Sequence, residues 1–176
     1  MASVVTFGEA MVRLSPPGFR RIEQATSLDV TIGGAELNVA AALSRLGTSS
    51  AWVSRLPANP LGALCRNKAR ELGVDTSYLV WSSSDRMGLY FVEFGAAPRP
   101  SSVLYDRANS AISRIEPGMV DWNGALSRAR WLHTSGITPA LSEGAARATA
   151  EGMGAARRAG CTVSYDLNYR ARLWSQ

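Results

Sequence analysis

The chain has 176 residues, 46% of them hydrophobic, with 19 Lys and Arg residues against 14 Asp and Glu residues and a net charge of +5. This length and composition are typical of one globular domain with a substantial core. The basic residues are dispersed, which disfavours nucleic acid as a partner, and no run reaches the ~20 apolar residues that span a membrane. Two cysteines without CxxC spacing and a single histidine argue against a disulfide framework or a metal site, so we expect a cytoplasmic protein.

The first part of the chain alternates strand-like and helix-like segments. Val4 to Gly8 and Ser50 to Leu56 are rich in β-branched and aromatic residues, which predicts two strands. The alanine-rich run over residues 35–46 and the segment from Pro60 to Leu72, closed by Gly73, predict two helices. Alternation of this kind favours an α/β fold in which helices pack on a mostly parallel sheet.

A glycine pair, Gly33-Gly34, directly precedes the helix over residues 35–46. Glycine permits positive φ and close approach of a ligand, and a helix start presents unpaired N–H groups and a positive dipole end. The alternative is that the pair only makes a tight turn. Glu9 follows the first strand at its carboxyl end, the side on which open α/β sheets bind ligands. It is therefore either a ligand for a substrate hydroxyl or a solvated loop acid.

The middle of the chain interrupts the alternation. Residues 88–95 and 102–107 are strand-like, and the loop between them contains two prolines and no helix, which predicts an antiparallel hairpin apart from the main sheet. The polar stretch 13–29 predicts mostly irregular structure. Together, segments at about 11–32 and 86–108 are expected to form a lid over the ligand side of the sheet. A lid that excludes water suits a group-transfer enzyme, because water competes for the transferred group.

The main alternation resumes in the last part of the chain. Trp131 to Gly136 predicts a strand, and the segment from Ser142 to Ala159 predicts a helix that Ser142 caps and Gly160 ends. Thr162 to Asp166 predicts a further strand of the parallel sheet. Residues 167–170 lie just past its carboxyl end, on the expected ligand side.

Several motifs stand in order along the chain: Gly33-Gly34-Ala35-Glu36-x-Asn38-x-Ala40, Gly88-Leu89-Tyr90, Tyr105-x-Arg107, Ser135-Gly136-Ile137-Thr138-Pro139 and Asp166-x-Asn168-x-Arg170-x-x-Leu173-Trp174. In this order they resemble the N-terminal half of the ribokinase-like (PfkB) carbohydrate kinases. The resemblance covers the whole chain. It implies a three-layer sandwich with a mostly parallel central sheet and a small β lid, with residues 1–176 as the N-terminal part of a single kinase domain whose C-terminal half is absent.

The resemblance also implies that a sugar lies between the carboxyl ends of the strands and the lid. Together with Glu9, the predicted substrate contacts are Gly33, Gly34, Asn38, Tyr90, Tyr105, Arg107, Ile137 and Arg170. Two guanidinium groups, on Arg107 and Arg170, favour a sugar acid over a neutral sugar, because each charge-assisted hydrogen bond contributes ~1.5–3 kcal/mol. The alternative is that both are surface arginines in weak ion pairs. Arg170 could also face the transferred phosphoryl group.

The activity implied is ATP-dependent phosphoryl transfer to the terminal hydroxyl of 2-keto-3-deoxygluconate or a similar sugar acid. A fructokinase or another ribokinase-like sugar kinase is a first alternative, and a non-catalytic half-length protein that binds a sugar acid or another lid is a second. ATP and Mg²⁺ are expected for a full-length enzyme, whose catalytic aspartate, Asn-x-x-Glu element and nucleotide pocket belong to the family's second half. The 176 residues contain none of these, so we expect a truncated chain that is inactive alone and binds neither ATP nor metal. The lid is the expected contact surface for a second copy of the chain.

Overall fold

The computed structural model describes residues 2–174. In that range the strands are β1 (Val4–Phe7), β2 (Met11–Ser15), β3 (Asp29–Gly33), β4 (Ser50–Val53), β5 (Arg55–Pro57), β6 (Val80–Ser82), β7 (Leu89–Glu93), β8 (Ser102–Asp106), β9 (Trp131–Ser135) and β10 (Thr162–Asp166). The α-helices are α1 (Ala35–Arg45), α2 (Pro60–Glu71), α3 (Trp122–Leu126) and α4 (Glu143–Arg158).

The main sheet is parallel throughout, with the strand order β10-β9-β1-β4. Because successive side chains of a strand point to opposite faces, neighbouring residues of β4 enter different cores. Val5 and Phe7 of β1 pack into the core that also contains buried residues of α3 and α4. Trp52 of β4 packs into the other core, with residues of α1 and α2. Helices therefore cover both faces, and the predicted α/β sandwich is confirmed.

The helix α4 begins and ends where the sequence predicts. The Ser142 hydroxyl accepts a hydrogen bond from the Ala145 N–H at 3.0 Å, which satisfies one of the backbone donors that a helix start leaves free. Gly160, with φ of +75°, follows the C-terminus. Inside the helix, a Cβ on Gly152 would lie only 2.5 Å from the Trp122 ring. The glycine that weakens this helix locally therefore lets α3 pack closely against it.

A second sheet, with the order β3-β2-β7-β8, contains the segments predicted to form the lid, and we refer to this sheet as the lid. Strands β7 and β8 are antiparallel neighbours, so the predicted hairpin is confirmed. The prediction of irregular structure from residue 13 onwards is wrong for residues 13–15, because β2 is a central strand paired with β3 on one side and β7 on the other. β8 forms an edge of the lid, and its side chains are exposed. The pairing of two copies through the lid stays a prediction.

Two further segments differ from the sequence prediction. The single strand predicted over residues 50–56 is in fact the end-to-end pair β4 and β5, which belong to different sheets and are separated by the buried Ser54. β5 pairs instead with the short strand β6. Neither β6 nor α3 was predicted, because elements of three and five residues are too short to show a periodic pattern.

Candidate functional site

A cavity of about 700 Å³ opens between the start of α1, the end of β8 and the turn that follows β10. Its volume is in the range of ordinary small-molecule sites. Its lining residues are Glu9, Met11, Gly34, Ala35, Leu104, Tyr105, Asp106, Arg107, Ala108, Ile137, Tyr169, Arg170, Ala171, Arg172 and Leu173. The wall thus combines the carboxyl ends of parallel strands with the lid, as the sequence predicts for the ligand side.

Most of the predicted substrate contacts lie on this wall, but Gly33, Tyr90 and Asn38 do not. Tyr90 lies behind Tyr105, with the two rings stacked at a centroid distance of 6.0 Å. Gly33 in turn packs against Tyr90, since a Cβ at this position would overlap the Tyr90 hydroxyl. Asn38 is exposed on α1. The structure therefore assigns Gly33 and Tyr90 to a supporting layer and leaves Asn38 outside the cavity wall.

The glycine pair does not use the positive φ that glycine permits. Gly34 has φ of −169°, which is extended backbone, and Gly33 is not among the residues with positive φ. The pair is required instead by close packing, because a Cβ on Gly34 would overlap the Glu9 carbonyl oxygen. The start of α1 can therefore lie directly against the chain that leaves β1. Gly34 and Ala35 face the cavity there, and the first N–H groups of a helix have no acceptor within it.

Glu9 is neither a solvated loop acid nor a free ligand for a hydroxyl. It is 3% exposed, and its carboxylate accepts hydrogen bonds from the Arg107 guanidinium and, at 3.1 Å, from the Ser110 hydroxyl. Its own N–H donates to the Thr138 hydroxyl at 3.3 Å. Burial raises the pKa of Glu9, and the neighbouring Arg107 opposes that increase. Glu9 therefore connects the end of β1 to the segment that follows β8.

The charges on the wall are unevenly paired. Besides Glu9, the other wall carboxylate is Asp106, which Arg86 binds in a bidentate pair at 2.6 Å, and this hydrogen bonding lowers the pKa of Asp106. Arg170 and Arg172, by contrast, are exposed and have no ion-pair partner within residues 2–174. The free positive charge of the cavity therefore comes from the turn after β10. Sequence reasoning missed Arg172, although it stands two residues after Arg170 in the same motif.

Glu36 is a second buried acid that sequence reasoning left without a role. It is fully buried in the first turn of α1, and the Ser135 hydroxyl donates to one of its carboxylate oxygens at 2.5 Å. The other oxygen is buried and has no hydrogen-bond partner among the residues that the structure describes. Burial raises the pKa of Glu36 from its usual 4.5 to about 6. Its signal in the sequence was its position as the single charged residue of the motif over residues 33–40.

The described residues do not fit a magnesium site. In the part of the chain between residues 2 and 174, no group of three His, Cys, Asp or Glu side chains is placed to hold a metal ion. Both carboxylates on the cavity wall are already bound by arginines.

The two cysteines, Cys65 and Cys161, are buried and form no disulfide. Among the described helices, none has the length and apolarity needed to cross a membrane.

The fold and the cavity together define an α/β protein with a cavity of small-molecule size beside its parallel sheet. A cationic rim, aromatic rings and the start of α1 meet at the sheet end where such folds bind ligands. The profile of the pfkB family carbohydrate kinases matches residues 1–176. The chain therefore belongs to the pfkB family of carbohydrate kinases.

Individual relatives agree with this assignment. The chain is 48% identical over 174 residues to a 2-dehydro-3-deoxygalactonokinase of Haloferax volcanii. The aligned residues cover 99% of this chain and 54% of that protein. It is 31% identical to a 2-dehydro-3-deoxygluconokinase of Bacillus subtilis, over 97% of this chain and 52% of the relative. The crystal structure of a 2-dehydro-3-deoxygluconokinase from Thermotoga maritima matches it with a TM-score of 0.96 and 50% identity, over 99% of this chain and 53% of that one. The chain spans about half the length of these relatives.

Proposed function

We propose that this chain forms the substrate-binding part of an ATP-dependent kinase for a 2-dehydro-3-deoxy sugar acid such as 2-keto-3-deoxygluconate. The observation that carries the proposal is the charge of the cavity wall, where both acids are paired and Arg170 and Arg172 are free. A neutral sugar gives a guanidinium group little to pair with, whereas a carboxylate accepts its hydrogen bonds directly. The names of these three relatives, all of which refer to 2-dehydro-3-deoxy sugar acids, support the same substrate class.

Three kinds of group on the cavity wall would bind the ligand: backbone N–H groups, arginines and a tyrosine. The N–H groups at the start of α1, next to Gly34 and Ala35, would donate to ligand oxygens, and Arg107 and Arg170 would orient the carboxylate. Tyr105, backed by Tyr90, supplies an aromatic surface that excludes water from the bound sugar.

ATP would supply the phosphoryl group, and Mg²⁺ would neutralise the charge on it. We place the groups that hold them outside residues 2–174, because both acids of the cavity wall are paired with arginines.

Titration calorimetry on this chain tests the substrate class. We expect 2-keto-3-deoxygluconate to bind with a Kd of about 1 mM or tighter and fructose to bind at least about tenfold more weakly. Arg170→Met removes one charged donor and should weaken binding of the acid by about tenfold without changing fructose binding. Arg45→Met, which changes an arginine in the last turn of α1, is the matched control and should change neither.

The alternative functions predict different results in the same experiment. If fructose binds as tightly as the acid, the sugar-acid assignment is wrong and a fructokinase is favoured. If neither sugar produces heat, the chain does not form the binding site that we propose. Incubation with ATP and Mg²⁺ tests the remaining part of the proposal, because formation of a phosphorylated acid by this chain alone would show that the transfer groups lie within it.

A further inference from the structure

A buried ion pair joins the end of β1 to the return of the lid. The Glu9 carboxylate is 2% exposed, and the Arg107 side chain that donates to it is 14% exposed. Ser110, three residues further along the chain, donates to the second carboxylate oxygen at 3.1 Å. Both oxygens of Glu9 are thus bound to the segment that follows β8. The pair is part of the cavity wall, since Glu9 and Arg107 both line it.

The Arg107 guanidinium is held on one edge and one face and is incompletely paired elsewhere. Its carbon atom lies 5.5 Å from the centroid of the Tyr105 ring, which supports its face. One terminal nitrogen donates to Glu9. Its Nε is buried and has no hydrogen-bond partner within the described part of the chain. A guanidinium group is a rigid planar fork, so fixing one edge and one face fixes the direction of the remaining donors.

We propose that Glu9 is a positioning residue, which holds Arg107 against Tyr105 so that the remaining guanidinium donors meet the carboxylate of the bound sugar acid. The identity of that ligand rests on the proposed function, whereas the positioning itself does not. Glu9 also neutralises the charge of Arg107. Arg107 therefore recognises the ligand by the geometry of its donors, and the net positive charge that attracts an acid comes from exposed arginines such as Arg170.

Substituting Glu9 by glutamine separates a positioning role from an electrostatic role, because the two roles predict opposite changes in the affinity for a sugar acid. Glu9→Gln removes one negative charge from the cavity wall. A purely electrostatic role for Glu9 then predicts tighter binding of a sugar acid, because the wall becomes more positive. A positioning role predicts weaker binding, because the amide pairs less strongly with the guanidinium group and lets it turn away. Asp106→Asn is the matched control, since it removes the same charge from the same wall but releases Arg86 rather than Arg107.

Two measurements test the proposal. In calorimetry with 2-keto-3-deoxygluconate, we expect Glu9→Gln to bind about tenfold more weakly than the wild type and Asp106→Asn to bind within about threefold of it. In NMR spectra, the Nε–H signal of Arg107, identified by its absence from an Arg107→Lys variant, should shift or broaden in Glu9→Gln and stay in place in Asp106→Asn. Unchanged or tighter binding by Glu9→Gln, or an unchanged Arg107 signal in that variant, would overturn the proposal.

The two measurements also separate this proposal from the proposed function. If the wild type binds no sugar acid, the proposed function fails, and the NMR comparison still decides whether Glu9 holds Arg107. If Glu9→Gln does not fold, Ser110→Ala replaces it, because this variant removes one hydrogen bond to Glu9 without leaving a buried charge unpaired. We then expect binding about threefold weaker and a smaller change in the same Arg107 signal. Wild-type affinity with an unchanged Arg107 signal in Ser110→Ala would count against positioning.

Discussion

Replacing the buried Glu36 with glutamine should stabilise the protein at neutral pH and not at acidic pH. Burial raises the pKa of Glu36 in the folded protein from 4.5 to about 6, so the folded state holds this proton more tightly than the unfolded chain does. The contribution that the bound proton of Glu36 makes to the free energy of unfolding is complete below about pH 4.5 and is lost as the pH rises through about 6. Since each tenfold change in a proton equilibrium corresponds to ~1.36 kcal/mol, ionising Glu36 destabilises the fold by about 2 kcal/mol at neutral pH.

Glutamine has nearly the same shape as glutamate and stays neutral, so Glu36→Gln removes this pH-dependent effect. Its amide oxygen can still accept the hydrogen bond that Ser135 donates at 2.5 Å. The increase in the free energy of unfolding that the variant shows over wild type should therefore be about 2 kcal/mol larger at about pH 7.5 than at about pH 4. Urea denaturation followed by tryptophan fluorescence measures both values.

The exposed Glu23 gives a control for this experiment. Glu23→Gln removes the charge of a solvated glutamate, and its effect should differ by less than about 0.5 kcal/mol between the two pH values. Equal effects of Glu36→Gln at both pH values, or a larger loss of stability at the higher pH, would refute the reasoning. Either result would mean that the ionised carboxylate is compensated by a partner.

Two further substitutions test the packing and the helix termini. Gly33→Ala places a methyl group against the Tyr90 hydroxyl and should destabilise the fold by about 1–3 kcal/mol in urea denaturation. The loss should be smaller in a Tyr90→Phe background, which lacks that hydroxyl. An equal loss in both backgrounds would contradict the close contact. Asn59→Ala removes the side chain that accepts hydrogen bonds from the N–H groups of Leu61 and Gly62 at the start of α2, and should lower the free energy of unfolding by about 1 kcal/mol. Asn59→Asp keeps an accepting oxygen at this position and should change the free energy of unfolding little. Similar losses in both variants would rule out capping as the cause.

The sequence was sufficient to predict the elements that are long and periodic. The main strands, the helices α1, α2 and α4, and the β7–β8 hairpin all follow from hydrophobic patterns bounded by glycine or a capping residue. Ser142 and Gly160 could be assigned to the ends of α4 because capping is a local interaction. The break of residues 50–57 into β4 and β5 depends instead on which distant strands they pair with, and local patterns carry no such information.

The candidate site divides in the same way. The arrival of Arg107 and Arg170 at one cavity could be predicted from the family resemblance, which implies that the lid lies over the carboxyl ends of the parallel strands. The pairing of Arg107 with Glu9 could not, since the two residues are 98 positions apart and neither has a distinctive local pattern. The reason for the glycine pair was also hidden in the sequence. Gly34 is needed because of the backbone of Glu9 behind it, and not because of its own φ.

The pairing of Arg107 changes the physical basis on which a sugar acid would be recognised. The sequence prediction had Arg107 and Arg170 both bind the carboxylate of one ligand, but a guanidinium group bound to a buried carboxylate contributes little net field to the cavity. Long-range attraction of an acid then depends on the exposed turn after β10, where solvent and salt screen the charge. The lid contributes directed donors at close range, where their geometry decides between ligands. Discrimination between an acid and a neutral sugar should therefore be set mainly by Arg170 and its neighbour Arg172, and the orientation of the bound acid by Arg107.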